Sequence, residues 1–216
     1  MQRRIAAYVD ERVRILAAIS HDLQTPITRM RLRVDMMDDE TQQPRLRADL
    51  EELQGLVKDG IGYARAMHGE REPARAIDLD AQLDSLVLDY RDAGSAVSLE
   101  GRIGKPVQTR PKALRRIVGN LVDNALRYGG SAAIVVGRDS QGAVLIRVLD
   151  AGPGIPADQL EAVFEPFFRL EASRNRDTGG TGLGLAIARQ LAGSLGGTLT
   201  LHNRPEGGLE ARLTLP

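Results

Sequence analysis

Two long apolar seams open this chain, and they leave few choices for its first third. Apolar side chains stand at Ile5, Val9, Val13, Leu16, Ile19, Leu23, Ile27, Met30, Val34 and Met37. Every step between them is three or four residues, the period of an amphipathic α-helix. About 33 residues at a rise of ~1.5 Å make a rod of roughly 50 Å. The polar run Asp38-Asp39-Glu40-Thr41-Gln42-Gln43 interrupts the seam, and Pro44 suits the first turn of a second helix. That helix carries its own seam at Leu46, Leu50, Leu53, Val57, Ile61, Ala64 and Met67. Two such helices on a short loop form an antiparallel hairpin. A hairpin alone cannot bury its stripe, whereas two copies complete a four-helix bundle. We therefore expect a homodimer through residues 1–70.

The texture changes beyond the linker-like stretch 68–75. Asp78 is placed to N-cap a helix from Leu79 to about residue 93. Further helices are predicted over 111–128 and 183–195, the latter stopping at Gly196-Gly197. Strands are predicted over 97–100, 106–109, 132–138, 143–150, 198–203 and 209–215. Residues 151–181 read as irregular. Helices mixed with hairpin-connected strands predict an α+β fold, with a second domain over 71–216.

Composition removes several functions. Charged residues make up 27% of the 216 and the net charge is zero, which argues against nucleic-acid binding. With no cysteine there is no disulfide framework and no thiolate metal site. No apolar run reaches the roughly 18 residues of a membrane span, so no direct membrane contact is expected.

Chemistry is suggested at two distant places. On the first seam, Leu16, Ile19, Leu23, Ile27 and Met30 share one face, whereas His21 and Thr25 fall together on the opposite face, one turn apart. An exposed imidazole there fits an ordinary surface histidine or a nucleophile. Asp22 beside it is able to hold one ring N–H and stabilise an imidazolium. Pro26 removes a backbone donor and predicts a bend. Metal ligation is a poor fit, because no second His or Cys lies at ligand spacing.

Far downstream, Gly180-Thr181-Gly182-Leu183-Gly184 opens a helix. It is no P-loop, and Ile187 breaks the Gly-x-Gly-x-x-Gly pattern. Free N–H groups and the helix dipole would favour a phosphate chain there, although glycines before a helix also serve as plain turns. Asn120, Asn124, Arg127 and Tyr128 lie within reach of one helix face, and asparagine oxygens suit Mg²⁺ or simply solvent. Asp150 ends a strand just before Gly152 and Gly154, where a carboxylate is able to accept from an adenine amino group. Phe164, Phe167 and Phe168 read as anchors that pack a loop.

Taken in order, these segments resemble a known family. Ser20-His21-Asp22-Leu23-Gln24-Thr25-Pro26 is similar to the H-box of bacterial sensor histidine kinases, with Gln24 in place of the usual basic residue. The downstream segments are similar to the N, G1, F and G2 boxes of their Bergerat-type ATP-binding domain, shared with gyrase and mismatch-repair ATPases. The resemblance implies that His21 is phosphorylated, Asp22 is its acid/base partner and Thr25 orients the water that dephosphorylates a partner. It implies ATP and Mg²⁺ as cofactors, with Asn120 and Asn124 serving the phosphates and metal. Arg127 and Tyr128 would flank the nucleotide, and Asp150, with Gly152 and Gly154, would read adenine. Gly180, Thr181, Gly182, Leu183 and Gly184 would wrap the triphosphate, with Arg174 a γ-phosphate contact. The implied partner is the receiver domain of a response regulator. The implied location is the cytoplasmic portion of an inner-membrane sensor.

Overall fold

The computed structural model describes residues 23–37, 39, 41–67, 72–170 and 181–216. Expectations for residues 1–22, His21 and Asp22 among them, and for 171–180, including Arg174 and Gly180, lie outside the described residues.

Residues 23–35 are helical (α1) and are followed by α2, Gln43–Met67. The turn between them is built from its own side chains. The Asp39 carboxylate accepts from the Thr41 amide at 2.9 Å, the Thr41 hydroxyl at 2.7 Å and the Gln42 amide at 3.0 Å. Those bonds, the Thr41 hydroxyl first, hold the Asp39 carboxyl below the usual aspartate range. Gln43 donates back to the Val34 carbonyl at 3.1 Å, and Arg47 pairs with Asp35 across the two helices. Ile27, Val34 and Leu50 are buried between them, with Val57 packed alongside.

The second unit is a two-layer sandwich. Its elements are β1 (Arg75–Ile77), α3 (Leu79–Asp92), β2 (Val97–Glu100), β3 (Val107–Thr109), α4 (Pro111–Gly129), β4 (Ala132–Arg138), β5 (Val144–Leu149), α5 (Gly184–Ser194), β6 (Thr198–Asn203) and β7 (Leu209–Leu215). Five strands form one sheet in the order β2-β4-β5-β7-β6; β2 and β4 are parallel and the other pairs antiparallel. Along β5 and β7 every second residue is buried, the period of a strand with one covered face. On α4 the buried positions are Ala113, Leu114, Ile117, Val118, Leu121, Val122 and Ala125, a single stripe at helical spacing. That stripe turns Asn120, Asp123, Asn124 and Arg127 toward the flank of the helix. Asp78 caps α3 by accepting from the Ala81 amide at 3.0 Å, as its position predicted.

Two local readings are corrected. Arg75, assigned to the linker, begins β1, which pairs antiparallel with β3 through Ile77 opposite Val107. Phe167 does not anchor by packing: Phe164 is buried and Phe168 leans on the core, but Phe167 is 64% exposed with φ of 65°.

The hairpin is not separate from the sandwich. Asp59, Gly62, Tyr63 and Ala66 share one face of α2 by their spacing. Ala66 is buried in the sandwich core, and Tyr63 packs against it. Gly62 passes beneath the Arg116 guanidinium, where a Cβ would collide.

Candidate nucleotide-binding site

A cavity of about 360 Å³ opens between α4, α5 and the irregular segment after β5. The α4 flank supplies Asn120, Asp123, Asn124, Arg127 and Tyr128. The end of β5 and the loop after it supply Asp150, Pro153, Gly154 and Ile155. The start of α5 supplies Thr181, Gly182 and Gly184. The structure therefore gathers these residues from three separated sequence segments around one cavity.

Asp150 is one end of the cavity and is 6% exposed. Its Oδ1 accepts from the Gly152 amide at 2.8 Å and the Leu209 amide at 3.0 Å. Among the described residues nothing donates to Oδ2, so that oxygen is left for a ligand donor such as an exocyclic amine. Gly152 does not line the cavity; it lets the chain fold back, because a Cβ there would stand 2.8 Å from the Tyr128 carbonyl. Gly154 has φ of 75°, and its missing Cβ leaves room for the Asn203 side chain.

The opposite end is the N-terminus of α5. Among the described residues no side chain caps this helix, and no acidic residue stands in its first turn, so its leading N–H groups suit an anion. Gly182 has φ of 71° and lies against the backbone of Phe167 and Phe168, where a Cβ would come within 2.9 Å. Leu183 departs from its expected role. Its side chain is fully buried in the core and fixes the start of the helix instead of lining the cavity. Asn120 donates its Nδ2 to the Gly184 carbonyl at 3.1 Å, joining α4 to α5. That bond leaves Asn120 Oδ1 as the atom able to meet a cation.

Among the described residues no group of three or more His, Cys, Asp or Glu could hold a metal ion. The oxygen donors at the cavity include the amide oxygens of Asn120 and Asn124 and the carboxylate of Asp123. This set fits Mg²⁺, which prefers to complete its shell with water and substrate phosphate instead of an all-protein cage.

Several residues that shape the site were not singled out from sequence. Asn203 bonds Ile155 twice, donating to its carbonyl at 2.6 Å and accepting from its amide at 2.9 Å. Arg204 donates to the Asp150 carbonyl at 2.7 Å and is itself held by Glu206 at 2.7 Å. The same contact draws the Glu206 carboxyl below its usual range. The β6–β7 turn thus clamps both ends of the Asp150–Ile155 loop. On α3, the Tyr90 hydroxyl donates to Asp123 at 2.5 Å, and burial first, then this bond, pushes its pKa well above the ordinary tyrosine value. Arg189 lies 4.5 Å over the Phe164 ring and pairs with Glu161 at 2.7 Å, fixing the segment below the cavity. Asp59 reaches the cavity from α2, and its Oδ2 accepts from the Thr181 hydroxyl at 2.7 Å.

Residues 109–216 match the family described as histidine kinase-, DNA gyrase B-, and HSP90-like ATPase, and residues 11–69 match the His kinase A phospho-acceptor domain. The chain belongs to this ATPase family. Over its full length it is 43% identical to sensor histidine kinase GtrS of Pseudomonas aeruginosa, of which it spans 44%. It is 33% identical to sensor protein RstB of Escherichia coli, spanning 51% of that protein. Full-length ShkA in complex with AMPPNP shares the fold, with a TM-score of 0.73 over 94% of this chain and 45% of that one, at 22% identity. The chain thus carries a His kinase A phospho-acceptor domain and a histidine kinase-like ATPase domain, and it spans about half the length of the curated sensor proteins it matches. No helix among the described residues is long and apolar enough to cross a membrane.

Proposed function

We propose that this chain transfers the γ-phosphoryl group of MgATP to His21 and then passes it to an aspartate on a response regulator. The observation that carries the reading is the cavity, with a buried carboxylate acceptor, Asp150, at one end and the N-terminus of α5 at the other. Asp150 takes the base through Oδ2, while Arg127 and Tyr128 border the nucleotide. Thr181, Gly182 and Gly184 face the phosphate chain, with Gly180 and Arg174 joining them. Asn120 and Asn124 hold Mg²⁺, which neutralises phosphate charge when bound. A ring nitrogen of His21 forms the new N–P bond as the bond to ADP oxygen breaks, and Asp22 receives or steadies the ring proton. The catalysis is mainly positioning and charge neutralisation.

The family matches at 11–69 and 109–216 support a division near residue 70, with the hairpin as dimerisation and phosphoacceptor domain and residues 71–216 as the catalytic domain. Leu23, Met30 and Leu53 stand exposed on the hairpin seams and supply the face for a second copy. Thr25 is exposed on α1 and makes no hydrogen bond among the described residues, whereas Thr28 bonds back to the Gln24 carbonyl at 2.9 Å. The exposed position of Thr25 supports a second activity, in which Thr25 orients water for dephosphorylation of the regulator. The intact sensor is membrane-anchored with this part on the cytoplasmic side.

Incubation with γ-labelled ATP and Mg²⁺ tests the proposal. Acid-labile, alkali-stable label that disappears in His21→Gln is the expected result. Steady ATP hydrolysis with no protein label would instead make this an ATPase that works by conformational clamping.

A further inference from the structure

Asp59 belongs to the phosphoacceptor hairpin by sequence and to the nucleotide cavity by position. It shares a face of α2 with Gly62, Tyr63 and Ala66, the residues through which that helix lies on the sandwich. Its carboxylate lines the cavity beside Asn120, Asn124 and Gly184. The Thr181 hydroxyl connects it to α5: the oxygen accepts from the Leu183 amide at 3.3 Å and donates to Asp59 at 2.7 Å. A fixed negative charge is thus held one hydroxyl away from the end of a helix whose leading amides attract anions.

We propose that Asp59 is a hairpin-borne gate on the phosphate end of the site. The inference rests on the cavity being the MgATP site. MgATP brings a net negative charge to the place where the Asp59 carboxylate already stands, so nucleotide and carboxylate compete for one electrostatic environment. The Thr181 bond fastens α2 to the catalytic domain while the phosphate end is empty, and the entering triphosphate loosens it. The coupling is reciprocal: docking of α2 weakens ATP binding, and ATP weakens docking by the same factor. Filling the site thereby frees the catalytic domain from α2, a release that phosphoryl transfer to His21 would use.

The test is calorimetric titration of the full chain and its Asp59→Asn variant with MgATP and with adenosine, which has no phosphate. The variant binds MgATP about fivefold more tightly, the scale of one partly screened charge contact, and binds adenosine as the wild type does. The gain shrinks in high salt. Asp49→Asn, a charge removed from an exposed position nearer the start of α2, leaves both affinities unchanged. Hydrogen exchange gives a second readout, in which MgATP raises exchange of the α2 amides around Gly62 in the wild type more than in Asp59→Asn. Equal or weaker MgATP binding by Asp59→Asn, with the wild type binding normally, would overturn the gate and leave the nucleotide site standing. A wild type that binds neither ligand would overturn the site and the gate together.

Discussion

The hairpin and the sandwich bury their apolar residues in opposite fashion. In the sandwich, Leu114, Ile117, Ile134, Ile146, Leu191 and Leu213 are sealed within one continuous core. Among the described residues of the hairpin, Ile27, Val34 and Leu50 are buried between the helices, while Met36 is 84% exposed. The sandwich satisfies its hydrophobic pattern within one chain. Among its described residues the hairpin leaves Leu23, Met30, Met36 and Leu53 exposed. The proposed pairing of the hairpin with a second copy would cover that face and place a helix bundle beside the nucleotide site.

The strongest break in that comparison comes from the core. Leu114→Ala removes a fully buried side chain and lowers sandwich stability by about 3–4 kcal/mol in urea titration. Asp150→Asn is next. It replaces the charged acceptor with an amide and reduces ATP affinity by about 2–3 kcal/mol, roughly 30- to 150-fold, by calorimetry. Arg204→Ala leaves the Asp150 carbonyl without its donor and weakens ATP binding by about 1–2 kcal/mol. Met30→Ala, on the hairpin, leaves the sandwich transition in place but shifts sedimentation toward monomer; loss of sandwich stability equal to that of Leu114→Ala would erase the distinction between the regions.

The smallest effect is one of pH. Asp39 has a folded pKa below its unfolded value, so its contribution to the α1–α2 turn is complete above the unfolded pKa of about 4. The contribution fades as pH falls through the folded pKa. Acid titration followed by hairpin helicity should therefore show loss in Asp39→Ala already at neutral pH and in the wild type only at strongly acidic pH.

The parts of this fold readable from sequence were those set by local periodicity and capping. The α4 stripe, the Asp78 cap and the β6 and β7 strands all announce themselves within a few residues. The site was readable where its residues share a short segment, as Asn120 and Asn124 do. What escaped depends on residues far apart. β1 is three residues of strand made by pairing with β3, with no pattern of its own. Asn203 and Arg204 look like ordinary turn residues until the turn closes on Asp150 and Ile155. Asp59 is one of many hairpin acids, and only tertiary docking brings it to Thr181. Leu183 sits inside a glycine series, yet its apolar side chain follows the core.

Under the proposed function, one chain holds both the nucleotide and the side chain it modifies. The most direct measurement is fragment mass spectrometry of the wild type and Asp150→Asn after brief exposure to MgATP, with peptides kept at alkaline pH. A single phosphoryl group located on His21 in the wild type, and strongly reduced in the variant, is the predicted result. Phosphate found on another side chain, or equal His21 modification in a variant that no longer binds ATP, would contradict it.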